Sequence, residues 1–115
     1  IYGEVHERRN ASYINYGVVV TKYTGARGKA GTNDATAEMM GFARRILDAE
    51  HVGWQTGELG KVDQGGGGTV AMYVSQHNID TVDLGVPVLS MHAPFEVVAK
   101  ADVYMTYRAM RAFYK

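Results

Sequence analysis

The chain contains no cysteine, which excludes together a disulfide scaffold, a thiolate-ligated zinc knuckle and a thiol nucleophile. Any metal chemistry has to run on His, Asp and Glu. Proline is scarce, at two in 115 residues, and no repeat, linker or low-complexity segment interrupts a composition that is 46% hydrophobic and 21% charged. Those proportions belong to one ordinary folded domain. An excess charge of either sign is also lacking. Twelve Lys+Arg balance twelve Asp+Glu, so no overall field draws the chain toward nucleic acid or an anionic membrane. No stretch approaches the roughly 20 apolar residues that span a bilayer, and Ile1 to Asn10 mixes acids and bases where a signal peptide would be apolar. These features predict a soluble, cytoplasmic chain without nucleic-acid or membrane partners. Ile1 stands where a Met would start a protein, and the opening reads as the middle of a turn or helix. A piece of a longer polypeptide is therefore expected.

Glycine and β-branched residues supply the organisation. The run Tyr16 to Tyr23 is short and β-branched, which predicts a buried strand, and the glycine-punctuated segment Thr24 to Thr32 reads as a loop. Asn33 or Asp34 is then placed to cap a helix reaching Glu50, with Ala35, Met39, Phe42, Ala43 and Ile46 on one face. A short strand at Val52 to Thr56 and a glycine-rich loop at Gly57 to Gly68 follow. Next comes a helix from Thr69 to about His77, apolar enough to be buried on more than one side. Thr81 to Leu84 and Val86 to Met91 supply one or two further strands. Pro94 is suited to open a last helix running to Tyr114, with Val98, Ala101, Met105, Ala109 and Phe113 as its stripe. Alternating strands and helices predict an α/β layered fold, with helices flanking a mostly parallel or mixed sheet.

Three features could carry chemistry. Gly65 to Gly68 and Thr69 open a helix, where exposed N–H groups favour an anion and the absence of side chains lets a ligand approach the backbone. A tight turn requiring positive φ explains the same residues equally well. His92 follows a predicted strand, the position where α/β sheets collect ligands, although a single histidine is more often hydrogen-bonded structure than a metal ligand. Lys22, Arg27 and Lys29 form a basic segment with no acid between Glu7 and Asp34. It suits a substrate carboxylate, though a solvated loop is the simpler account. Tyr104, Tyr107 and Tyr114 at helical spacing are better read as core or subunit-contact residues than as a base-stacking surface.

Four blocks carry a resemblance: Gly17 to Gly25; Gly57 to Gln64 with the glycines and Thr69 after it; Asp83-Leu84-Gly85-Val86-Pro87-Val88-Leu89-Ser90-Met91-His92; and Glu96 to Tyr107. In this order they resemble the aminopeptidase I/aspartyl aminopeptidase family of cocatalytic zinc exopeptidases. The Ser-Met-His-x-Pro-x-Glu stretch is similar to that family's C-terminal metal-ligand motif. The resemblance implies that His92 is a zinc ligand, and that Gly66, Gly67, Gly68 and Thr69, with Lys22, face the substrate. It also implies two zinc ions per active site, peptide substrates and a homo-oligomer, commonly a tetrahedral dodecamer. Imidazole and carboxylate ligands accept cobalt or manganese as well.

The family's earlier His-x-Asp motif, its Glu-Glu pair, its later Asp ligand and its dimerisation domain have no counterpart in the sequence. Residues 1–115 are thus expected to be the C-terminal portion of a zinc aminopeptidase catalytic domain. The parent protein would remove N-terminal residues by zinc-activated water attack, and the segment by itself would be inactive. Two readings from other classes stand beside this one. A non-catalytic anion- or nucleotide-binding module would use Gly65 to Gly68. A structural subunit would use the tyrosines of the last helix.

Overall fold

The computed structural model describes residues 11–24, 33–57 and 69–115. The β-branched run becomes strand β1, Val18–Thr21, with Val18, Val19 and Val20 all buried. After it come β2, Tyr23–Thr24; β3, Asn33–Asp34; helix α1, Ala37–Ala49; β4, Trp54–Thr56; helix α2, Thr69–Ser75; β5, Asp83–Gly85; and helix α3, Lys100–Phe113. Strand β1 is central in a sheet ordered β4-β1-β5. It runs parallel to β4, with Val18 opposite Trp54, and antiparallel to β5, with Thr21 opposite Asp83. The sheet is therefore mixed, with helices flanking it, as the α/β reading anticipated.

Three expectations are corrected. Asn33 and Asp34 do not cap α1. They pair with Thr24 and Tyr23 as the return strand of a small antiparallel ribbon, and the cap passes to Thr36, whose Oγ1 accepts the Met39 N–H at 3.1 Å. Backbone pairing outcompetes local capping here because β2 presents its free edge to the same two residues. Helix α2 is not buried on several sides. Its two turns bury Ala71 while Val70 stays 74% and Tyr73 58% exposed. Pro94 does not open the last helix, because Leu89 and Val97 form an antiparallel bridge across it and the helix begins only at Lys100.

Helix α1 ends in a left-handed stop. His51 has φ 54°, its N–H donates to the Asp48 carbonyl at 3.1 Å, and the Val52 N–H donates to the Leu47 carbonyl at 2.9 Å. This 6→1 and 5→2 pair satisfies carbonyls the helix would leave open, and it folds Val52 onto fully buried Leu47 in the core with Val18, Val20 and Ala109. Glycine avoids the Cβ penalty of that conformation. His51→Gly is expected to stabilise the fold by about 0.5–1 kcal/mol, read as a higher denaturation midpoint.

Helix α3 is tied to the sheet by a charge. Asp102 in its first turn is 1% exposed, and its carboxylate accepts the Asn15 N–H at 2.6 Å and the Gly17 N–H at 2.9 Å. Those donors belong to the turn that launches β1. Gly17 sits at φ 97°, and a Cβ there would stand 2.1 Å from the Gly53 carbonyl oxygen. Only glycine fits between β1 and the approach to β4. At the other end of α3, Arg108 Nη2 donates to the Glu50 carbonyl at 2.5 Å and Lys115 pairs with the Glu50 carboxylate at 3.1 Å. Both place a cation at the negative end of α1.

Candidate functional site

Beyond β5 the chain passes buried Pro87 and forms a loop of residues 90–96 with its ends pinned together. The Leu89 N–H donates to the Val97 carbonyl at 2.9 Å and the Val97 N–H returns to the Leu89 carbonyl at 3.1 Å. Inside the loop two non-glycine residues hold positive φ, Ser90 at 58° and His92 at 68°. Such positions cost of order 1–3 kcal/mol each and persist where surrounding contacts impose them. Here the Ala93 N–H donates to the Ser90 carbonyl at 3.0 Å, and the His92 N–H donates to Glu96 Oε1 at 2.5 Å. The His92 side chain is exposed, and among the described residues none hydrogen-bonds its imidazole. Among the described residues both ring nitrogens are uncommitted, on a braced backbone, and a free imidazole nitrogen is chemically able to donate to a metal.

One imidazole is not a metal site. Among the described residues no three His, Asp or Glu side chains gather to hold an ion. His92 offers one imidazole, and no companion ligands gather around it among the described residues.

Of the substrate-facing candidates, Lys22 and Thr69 lie within the described residues. Lys22 follows β1 directly and forms an ion pair with Asp34 of β3, with both side chains largely exposed. The pair leaves the ammonium accessible while fixing where it stands. Helix α2, whose first residue is Thr69, packs against β3. Helix α2 and the Lys22–Asp34 pair are thereby brought to the same small ribbon. Gly66, Gly67 and Gly68 lie outside the described residues, as do Arg27 and Lys29. No hydrogen bond or ion pair among the described residues joins Lys22 to His92. Two residues after Lys22, Thr24 is 3% exposed and its buried hydroxyl has no partner among the described residues. His51 and His77 are exposed, as expected of histidines at helix ends.

Asp83, opposite Thr21 at the end of β1, has its carboxyl pushed above the ordinary range by burial. Between about pH 3.8 and the raised native value, the native form holds a proton that the unfolded chain has released. Stability therefore falls as pH rises from about 3.8 through the raised native value, the reverse of the usual paired carboxylate. Asp83→Asn is expected to remove that slope, measured as denaturation midpoint against pH.

This architecture matches solved aminopeptidase structures. Against aminopeptidase I from Clostridium acetobutylicum the TM-score is 0.84 at 51% identity, covering 95% of this chain and 24% of that one. Against the M18-family aminopeptidase from Thermotoga maritima it is 0.81 at 50% identity, covering 90% and 23%. The family model described as "Aminopeptidase I zinc metalloprotease (M18)" matches residues 1–114, and the chain belongs to that family. Among its relatives are proteins named "Probable M18 family aminopeptidase 1". That of C. acetobutylicum is 52% identical over 112 residues, 97% of this chain and 24% of the relative. That of T. maritima is 50% identical over 111 residues, 96% of this chain and 25% of the relative. The chain thus spans about a quarter of the length of these relatives. Both the resemblance drawn from the four blocks and the layered α/β fold are borne out.

Proposed function

We propose that residues 1–115 act as the C-terminal portion of the catalytic domain of a zinc-dependent aminopeptidase, which removes N-terminal residues from peptides by attack of zinc-activated water. The observation that carries this reading is the family match across residues 1–114, at about half identity to proteins named as aminopeptidases. The uncommitted imidazole of His92 supports it from the structural side.

Bound zinc would supply Lewis acidity and lower the pKa of a bound water. The chain's own part is to bind and orient. His92 contributes one neutral nitrogen donor from a backbone that is already fixed, so little ordering remains when a metal arrives. Lys22, held by Asp34, and the backbone N–H groups at the start of α2 are suited to bind carboxylate or carbonyl oxygens of a peptide. The remaining metal ligands and the general base would come from other parts of the natural-length protein. Cobalt or manganese would fit the same donor types. A homo-oligomer is part of this proposal, with the outward tyrosines of α3 available for subunit contact. A non-catalytic anion-binding module is not favoured, since the family match accounts for the glycine segment and the histidine motif together.

The test is hydrolysis of unblocked and N-acetylated peptides by the natural-length protein, with and without a chelator. Cleavage restricted to free N-termini, abolished by chelation and restored by zinc, is expected. The 115-residue chain assayed in parallel should show neither turnover nor two bound zinc ions, because one ligand cannot build a two-metal site.

A further inference from the structure

Glu96 is exposed, makes no ion pair among the described residues, and spends its carboxylate on one backbone donor, the His92 N–H at 2.5 Å. That donor belongs to a residue at φ 68°, a conformation a β-carbon disfavours. The loop carries a second such residue, Ser90, two positions earlier, and its ends are locked by the Leu89–Val97 bridge. The bridge fixes where the loop begins and ends but not how its apex turns. Among the described residues, the only side chain that holds the apex peptide is that of Glu96.

We propose that Glu96 is a positioning residue: by accepting the His92 peptide N–H it holds the left-handed backbone that sets the direction of the imidazole. This rests on the reading of His92 as a metal donor. Because His92 is followed within two residues by Pro94, whose ring fixes its own φ, the segment between histidine and glutamate has few ways to relax once the contact forms. An acceptor at position 96 thus sets the conformation of position 92 before any ligand arrives. Groups that orient a metal-bound histidine characteristically alter metal affinity and activity 10- to 100-fold when removed. The hydrogen bond needs an acceptor oxygen rather than a negative charge, so glutamine should serve where alanine cannot.

The experiment uses the natural-length protein with Glu96→Ala, Glu96→Gln and His92→Ala. It measures zinc affinity by competition with a chromogenic chelator, kcat and KM on an unblocked dipeptide, and amide hydrogen exchange of the metal-free proteins. The expected result is a roughly 10- to 100-fold weaker zinc affinity and a lower kcat for Glu96→Ala, with KM little changed and the His92 amide losing protection. Glu96→Gln should stay within a few-fold of wild type in all three. Unchanged zinc affinity and unchanged His92 exchange in Glu96→Ala would overturn the assignment. So would a Glu96→Gln variant as impaired as Glu96→Ala, which would mean that the charge itself meets the substrate or metal. Failure of the underlying reading would look different, as wild type and His92→Ala would then bind zinc equally.

Discussion

Replacing His92 with alanine in the natural-length protein is expected to reduce peptide turnover by at least about 100-fold, a floor set by the 10- to 100-fold cost of removing groups that merely orient a metal ligand. The fold should barely notice. The His92 side chain is exposed and its imidazole bonds no described residue, so its removal opens no cavity and orphans no buried polar group. Surface changes of that kind fall within about 0.5 kcal/mol. The backbone brace from Glu96 survives because it uses the peptide N–H, which alanine retains. Comparison of metal-free forms by chemical denaturation, alongside the peptide assay, separates loss of activity from loss of structure. A metal-loaded comparison would mix the two, since bound metal stabilises the folded state by linkage.

The opposite pattern is expected at Asp102. Its carboxylate lies 87 and 85 residues along the chain from Asn15 and Gly17, yet it satisfies these two donors of the turn that starts β1. Asp102→Ala leaves the buried Gly17 N–H and the partly buried Asn15 N–H without an acceptor. Hydrogen bonds to a charged group are worth about 1.5–3 kcal/mol each, so a loss of about 3 kcal/mol is expected after partial hydration of Asn15. Amide exchange reads this locally, with protection of residues 15 and 17 falling roughly 100-fold. Asp102→Asn keeps one acceptor oxygen and should lose about half as much, because its NH2 group would face the second donor. Equal protection in Asp102→Ala and wild type would show that the packing of α3 on β1, rather than the carboxylate, anchors the turn.

The contrast between these residues shows what could be read before the structure. The strands and helices follow from local chemistry: a valine run made β1, and apolar spacing made α1 and α3. His92 was legible as part of a motif with an unusual Gly-Val-Pro and Ser-Met-His context. What escaped depends on partners distant in sequence. Pro94 has the right chemistry to start a helix, but the bridge between Leu89 and Val97 turned its surroundings into a loop. Asn33 and Asp34 are good caps, but the edge of β2 claimed them. Asp102 left a signal that periodicity contained. With Met105, Ala109 and Ala112 it falls at i, i+3, i+7 and i+10, on the face that packs against the sheet, where an acid has to find donors. The positive φ of His92 and its contact with Glu96 left no sequence signal, because neither residue type ordinarily requires that backbone.

Under the proposed function, His92 is one ligand of a zinc site that the rest of the natural-length protein completes. The most direct test is metal analysis of the purified natural-length protein and its His92→Ala variant, with protein mass and zinc content determined on the same samples. The account predicts about two zinc ions per subunit in the wild type and fewer in the variant, with the fold of both preserved. A folded wild type that carries no metal after incubation with zinc, or a variant that holds as much zinc as the wild type, would contradict it.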